Sequence, residues 1–131
     1  MSTAAPAAQP AFEVIGADNA TVHLDTYHMN IEEPGMAAPI EACGDLLGYV
    51  HVGESNRGPL GTGTVDFREA LAARDRIGYN GTITFESFSS AVVSPALRRA
   101  LCIWRETWDD SMDLATSARR FVLEQRAAAA A

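Results

Sequence analysis

Asp25, His51 and Glu86 each come at the end of a short apolar run that reads as a buried strand, and they lie 26 and 35 residues apart. Each interval is about one βα repeat. Side chains at equivalent ends of consecutive parallel strands converge on one mouth. The spacing therefore predicts two carboxylates and one imidazole at a common point. Hard oxygen donors with a single imidazole suit Mn²⁺, Co²⁺ or Mg²⁺ better than a thiolate site would. A lone acid after a strand more often caps the next helix, and a lone histidine more often fills a polar core. Three such residues in register tip the balance towards a metal site.

Two further residues belong to the same argument. His28 lies one short turn beyond Asp25, within reach of the mouth, with a surface-loop histidine as the alternative reading. Arg57 stands in a Gly-Glu-Ser-Asn-Arg-Gly run at 53–58, where glycines let the loop come close to a ligand. Its forked guanidinium suits hydroxyls or a carboxylate; a solvated loop arginine is the alternative. His23 shares the strand parity of Asp25 and is expected to face the interior as core or support rather than as a ligand. There is no GxxxxGK[ST] phosphate loop, no GxSxG turn and no evident Cys/His nucleophile pair.

The elements needed to hold these residues can be read along the chain. Residues 12–15 read as the last turn of a helix stopped by Gly16. Residues 20–25 read as a strand running out into a polar loop, broken at Pro34 and Gly35. A helix over 36–47 tolerates Pro39 only in its first turn, and 48–52 is a short buried strand. A Gly-rich loop covers 53–64. Asp66, with Glu69 three residues on, then gives the capping-box pattern of a helix that closes at Gly78. A third strand covers 82–85. Ser94 and Pro95 open another helix in cap and N1 order, and a last helix begins near Ser111 and fades into the alanines at 127–131. Leu97, Leu101, Trp104, Trp108 and Phe121 read as helical packing residues, and Arg98, Arg99, Arg119 and Arg120 as solvated helix faces.

Alternating β and α units with short buried strands predict an α/β fold with a parallel sheet covered by helices. A (β/α)8 barrel carries its site on the carboxyl rim of the strands and needs about 250 residues. The 131 residues here correspond to roughly its last three βα units plus C-terminal helices. From pattern alone a doubly wound sheet also fits. The expected division is an Ala/Pro-rich disordered leader at 1–11, the barrel part at 12–126 and the alanine tail at 127–131.

Composition narrows the partners. The net charge is −7, and every basic residue is an arginine. Nucleic acid and an anionic membrane both require a basic face, so neither is expected. No apolar run approaches the ~20 residues of a membrane span, and residues 1–11 lack the features of a secretory signal. Cys43 and Cys102 follow no CxxC spacing and are expected to be free buried thiols, in a cytoplasmic protein.

The run Leu-Asp-Thr-Tyr-His-Met-Asn-Ile-Glu-Glu at 24–33 resembles the corresponding block of the ketose 3-epimerases, the D-tagatose and D-psicose 3-epimerase family within the xylose isomerase-like superfamily. So do the runs from His51 to Gly63 and from Ile77 to Phe88. They come in family order and cover, together with their surroundings, about residues 12–125. The resemblance implies a TIM barrel with one divalent metal, commonly Mn²⁺ or Co²⁺, held by Glu, Asp, His and Glu. Asp25, His51 and Glu86 match the last three ligands. His28 and Arg57 match residues that contact the ketose. Two metal-bound glutamates work on opposite faces of C3, one removing the proton and the other returning it through a cis-enediolate; Glu86 matches one of them. The other belongs to a strand ahead of Asp25. Glu13 is the only acidic residue before Asp18, and it falls in the predicted helix before the first strand. One catalytic glutamate and more than half the barrel are thus expected to lie outside this chain.

The leading expectation is a metal-dependent ketose 3-epimerase, incomplete in this chain. The alternative is a non-catalytic half-barrel remnant that binds metal or sugar weakly or pairs with another chain. A phosphate- or nucleotide-binding α/β module is disfavoured by the lack of a phosphate loop after the first strand. Open strand edges predict weak stability in isolation, and self-association or pairing with a complementary half.

Overall fold

The computed structural model describes residues 16–130. The leader at 1–11 and the helical turn read at 12–15 lie outside the described residues. Three parallel strands, β1 (Val22–Asp25), β2 (Leu47–Val52) and β3 (Ile83–Phe85), form one sheet in the order β1-β2-β3. Between β1 and β2 lie helices α1 (Thr26–Glu32) and α2 (Ala37–Cys43) and a 3-10 turn, Gly44–Leu46. Helix α3 (Phe67–Arg76) links β2 to β3, and α4 (Pro95–Ala100) and α5 (Ser111–Ala130) follow. No helix among the described residues is long and apolar enough to cross a membrane.

Strand parity sorts the side chains. Along β2, Val50 and Val52 are buried, as is Leu47 ahead of the register shift at Gly48, whereas Tyr49 and His51 are only half-buried. The first set meets Ile40 of α2 and Phe67 and Ala70 of α3 in the core. His23, Tyr49 and His51 occupy the opposite face, where the helices do not cover them and their rings meet tilted or edge-on. This is one arc of a barrel wall, helices outside and polar side chains inside. The expected strands are present, each shifted by a residue or two at its start.

Four local expectations need correction. The polar loop after β1 is helix α1. Asp25 has extended backbone and caps α1 by accepting the Tyr27 N–H at 2.8 Å, and α1 buries Thr26 and Met29 one turn apart. It stops at Glu33, which precedes Pro34 and is therefore held extended. Helix α2 is shorter than the 36–47 reading. It turns off at Gly44, whose φ of 49° suits glycine. Only half of the capping box at α3 forms. Asp66 accepts the Glu69 N–H at 2.8 Å, but the Glu69 carboxylate turns away to take the Met36 N–H at 3.0 Å. It thereby ties the start of α2 to α3. Last, α4 ends at Ala100, so Trp104 and Trp108 lie off any helix, and Trp104 is 59% exposed. Leu97 and Leu101 are exposed as well, as is Cys102; Cys43 alone is a buried free thiol.

Other readings hold. Ser94 accepts the Leu97 N–H with Pro95 at N1, and Arg98, Arg99, Arg119 and Arg120 are exposed. Helix α5 takes in the alanines through Ala130. Phe121 packs edge-on against Phe67 with ring centroids 5.4 Å apart. Because Asp66 supplies the cap of α3 alone, Asp66→Ala should cost about 1 kcal/mol. The urea midpoint of the variant reads this directly.

Candidate metal centre

Register alone brings the key residues together. Asp25 pairs with His51 across β1 and β2, and His51 pairs with Thr84 across β2 and β3. Glu86 is two residues past Thr84, and its N–H continues the ladder to the Val52 carbonyl at 3.0 Å. A two-residue step restores the same sheet face. Asp25, His51 and Glu86 thus share the carboxyl rim, each offering a ligand atom within 4.8 Å of the other two.

Thr26 fixes the spacing of the first two strand ends. It is buried, its hydroxyl donates to the Gly53 carbonyl at 2.8 Å, and it accepts the Gly53 N–H at 2.9 Å. Each carboxylate divides its oxygens between the fold and the centre. Asp25 uses Oδ1 for the α1 cap and leaves Oδ2 3.9 Å from His51 Nδ1. Glu86 uses Oε1 for Arg57, at 2.8 Å, and places Oε2 3.1 Å from His51 Nδ1. Donors on neighbouring vertices of an octahedral site with ~2.1 Å bonds lie roughly 3 Å apart. The three donors suit a hard divalent ion in chemistry, Glu86 Oε2 already stands at that separation from His51 Nδ1 while Asp25 Oδ2 lies farther out, and the outer hydrogen bonds hold them as ligands are normally held.

The rim opens onto a cleft of about 610 Å³ lined by His23, His28, Glu32 and Glu33 besides the three donors. His28 Nε2 stands 4.0 Å from Asp25 Oδ2 with its side chain 65% exposed, at the edge of the cluster and open to the cleft. His23 lies one pleat below. Its ring meets His51 edge-on at 4.3 Å and Tyr49 at 4.9 Å. Desolvation between these rings, then the neighbouring His51, lower its pKa, so it is neutral at pH 7. It supports His51 and is not one of the three clustered donors.

Arg57 is held on three sides. Its guanidinium lies 3.4 Å over the Tyr27 ring, it pairs with Glu86, and its carbonyl accepts from Phe88 N–H at 2.8 Å and Ser87 Oγ at 2.7 Å. Glu54 was not singled out in the sequence. It is fully buried, and only its place in the Gly-rich run pointed towards it.

The profile of the xylose isomerase-like TIM barrels matches residues 3–118. The chain belongs to the xylose isomerase-like TIM barrel family. Within it, the chain is similar to an L-ribulose 3-epimerase of Methylomonas sp. (strain DH-1), 60% identical over 107 residues, with 82% of this chain and 37% of that protein covered. A ketose 3-epimerase of Arthrobacter globiformis is 51% identical over 113 residues, with 86% of this chain and 39% of that protein covered. The crystal structure of a D-allulose 3-epimerase from Methylomonas sp. in complex with D-allulose superimposes with a TM-score of 0.86 at 53% identity, covering 92% of this chain and 42% of that one. The chain thus spans about 40% of the length of these relatives. The three-stranded sheet and its helices match part of a TIM barrel.

Proposed function

We propose that this chain carries one side of the active site of a metal-dependent ketose 3-epimerase. The observation that carries the reading is the convergence of Asp25, His51 and Glu86 on one point of the strand rim. Likeness to relatives named as 3-epimerases of L-ribulose and other ketoses supports it. Asp25 Oδ2, His51 Nδ1 and Glu86 Oε2 would hold Mn²⁺ or Co²⁺, with Mg²⁺ also suited. When bound, such an ion supplies positive charge that stabilises the negative charge developing on the ketose oxygens.

The chain's own residues do the rest. The proton on C3 of a ketose is α to a carbonyl, so a well-placed carboxylate suffices to move it. Glu86 is that carboxylate on one face of the sugar, held in one rotamer by Arg57. His28, open to the cleft, and Arg57 contact the sugar hydroxyls. A second carboxylate, for the opposite face of C3, comes from outside the described residues. The edges of β1 and β3 are where a complementary part of the barrel, or a second copy, would pair.

The test is an Mn²⁺ titration of the purified chain by calorimetry, with D-allulose formation from D-fructose followed in the same sample. One-to-one binding with turnover supports the epimerase reading and means that the chain completes its site by assembly. Binding without turnover favours the second reading, a half-barrel that retains the metal site but not the reaction. No binding overturns both.

A further inference from the structure

We propose that Glu54 is a positioning residue whose buried carboxylate closes the loop after β2 and thereby sets Arg57 over Tyr27 and against Glu86. Glu54 is 0% exposed, and its carboxylate accepts four hydrogen bonds from its own loop. Oε1 accepts the Ser55 N–H at 2.8 Å, the Ser55 hydroxyl at 3.2 Å and the Val65 N–H at 3.2 Å. Oε2 accepts the Gly61 N–H at 2.8 Å. These donors span the loop from one end to the other, so the Glu54 carboxylate joins its two ends from the buried side, while Asn56 and Ser55 bridge to Thr62 and Thr64 on the exposed side. The loop is shaped to it: a Cβ on Gly63 would collide with the Glu54 carboxylate and the Ser55 hydroxyl. A carboxylate is expensive to bury, and apolar residues would close a loop more simply.

What the closed loop holds is Arg57. This residue has a φ of 61°, a left-handed conformation that costs a non-glycine residue free energy. Its N–H donates to the Glu54 carbonyl at 2.8 Å, so the turn begins on Glu54 itself. Such strain persists only where surrounding contacts over-determine it. Released from Glu54, residues 55–65 can relax Arg57 to an ordinary φ, which swings the guanidinium off the Tyr27 ring and away from Glu86. Glu54 touches neither the cleft nor the three clustered donors; it acts through Arg57.

The consequence for catalysis rests on the proposed epimerase reading, whereas the placement of Arg57 does not, and the experiment separates the two. In the full chain labelled uniformly with ¹⁵N, the Arg57 Nε–H signal, assigned by its loss in Arg57→Lys, should be displaced by the Tyr27 ring and slow to exchange. In Glu54→Gln, where an NH₂ faces one set of loop donors, that signal should move to the range of exposed arginines while the β-strand amides keep their dispersion. An unmoved Arg57 signal, with only the Gly61 and Val65 amides shifted, overturns the proposal. Should Glu54→Gln fail to fold, Gly63→Ala decides: it displaces the carboxylate without removing it, and an unmoved Arg57 signal again overturns the proposal. In a preparation that turns over, Glu54→Gln should raise KM for D-fructose about tenfold in the wild-type background and not in Arg57→Ala. An equal rise in both backgrounds overturns action through Arg57. Failure of the wild type to bind Mn²⁺ counts against the epimerase reading and leaves the spectroscopic result to stand alone.

Discussion

His51→Ala is expected to abolish Mn²⁺ binding, lowering affinity by about a hundredfold or more. Loss of a supporting residue around a metal already costs about 10–100-fold, and His51 offers a ligand atom itself. It is also the central donor. It sits on the middle strand of the sheet, and its Nδ1 faces Glu86 Oε2 at 3.1 Å and Asp25 Oδ2 at 3.9 Å. Without it, only the two carboxylates of the clustered set remain to hold the ion. The fold should survive, because His51 lies on the uncovered face of β2 and contributes no apolar side chain to the helix-covered core. Calorimetric titration of the variant beside the wild type, with far-UV dichroism to confirm the fold, gives the answer. Unchanged affinity would remove His51 from the ligand set and with it the metal reading of the rim.

The site was legible in the sequence because it depends on two regular features. Parallel strands repeat at one βα unit, and residues at their ends come into register without any knowledge of the loops. Asp25 shows where such reading stops. Capping and ligation looked like competing roles for it, yet a carboxylate has two oxygens: Oδ1 caps α1 and Oδ2 faces His51. Helix α1 itself was hidden, since Tyr27, Ile31 and other poor helix formers fill it and its stability comes from the cap and from burying Thr26 and Met29. Thr26 and Glu54 were hidden for a different reason. A buried polar side chain is recognisable only by the backbone donors and acceptors that satisfy it, and those are brought to it by loop closure. Trp104 and Trp108 were misplaced because α4 ends at Ala100 and Cys102 takes a φ of 55°, which no local signal announces. Trp108 instead donates from Nε1 to Ser87 Oγ at 2.8 Å, next to the carbonyl of Arg57 that Ser87 also holds.

Phe67→Ala should be the most destabilising single truncation in the helix layer, by about 3–5 kcal/mol. Phe67 is 3% exposed and opens α3, just behind the Asp66 cap. Its ring meets Phe121 of α5 nearly at right angles, and such aromatic pairs add to the area they bury. Phe121 is pinned from the other side by Gly61. At a φ of 82° that residue needs to be glycine, and a Cβ there would come within 2.6 Å of the Phe121 ring. The Gly-rich loop, α3 and α5 therefore meet at one aromatic contact, which continues the apolar face that α5 buries through Leu114 and Ala118. Removing the Phe67 ring leaves a void that α5 cannot fill without leaving Gly61. A loss of that size is a large part of the roughly 5–15 kcal/mol that holds a whole domain together, and the open sheet face of this chain gives it no surplus. Urea unfolding followed by dichroism should show the midpoint collapse, with helical signal lost before the sheet. A shift below about 1 kcal/mol, the typical effect of an arbitrary substitution, would mean that α5 is anchored elsewhere and that the loop bearing Arg57 does not depend on it.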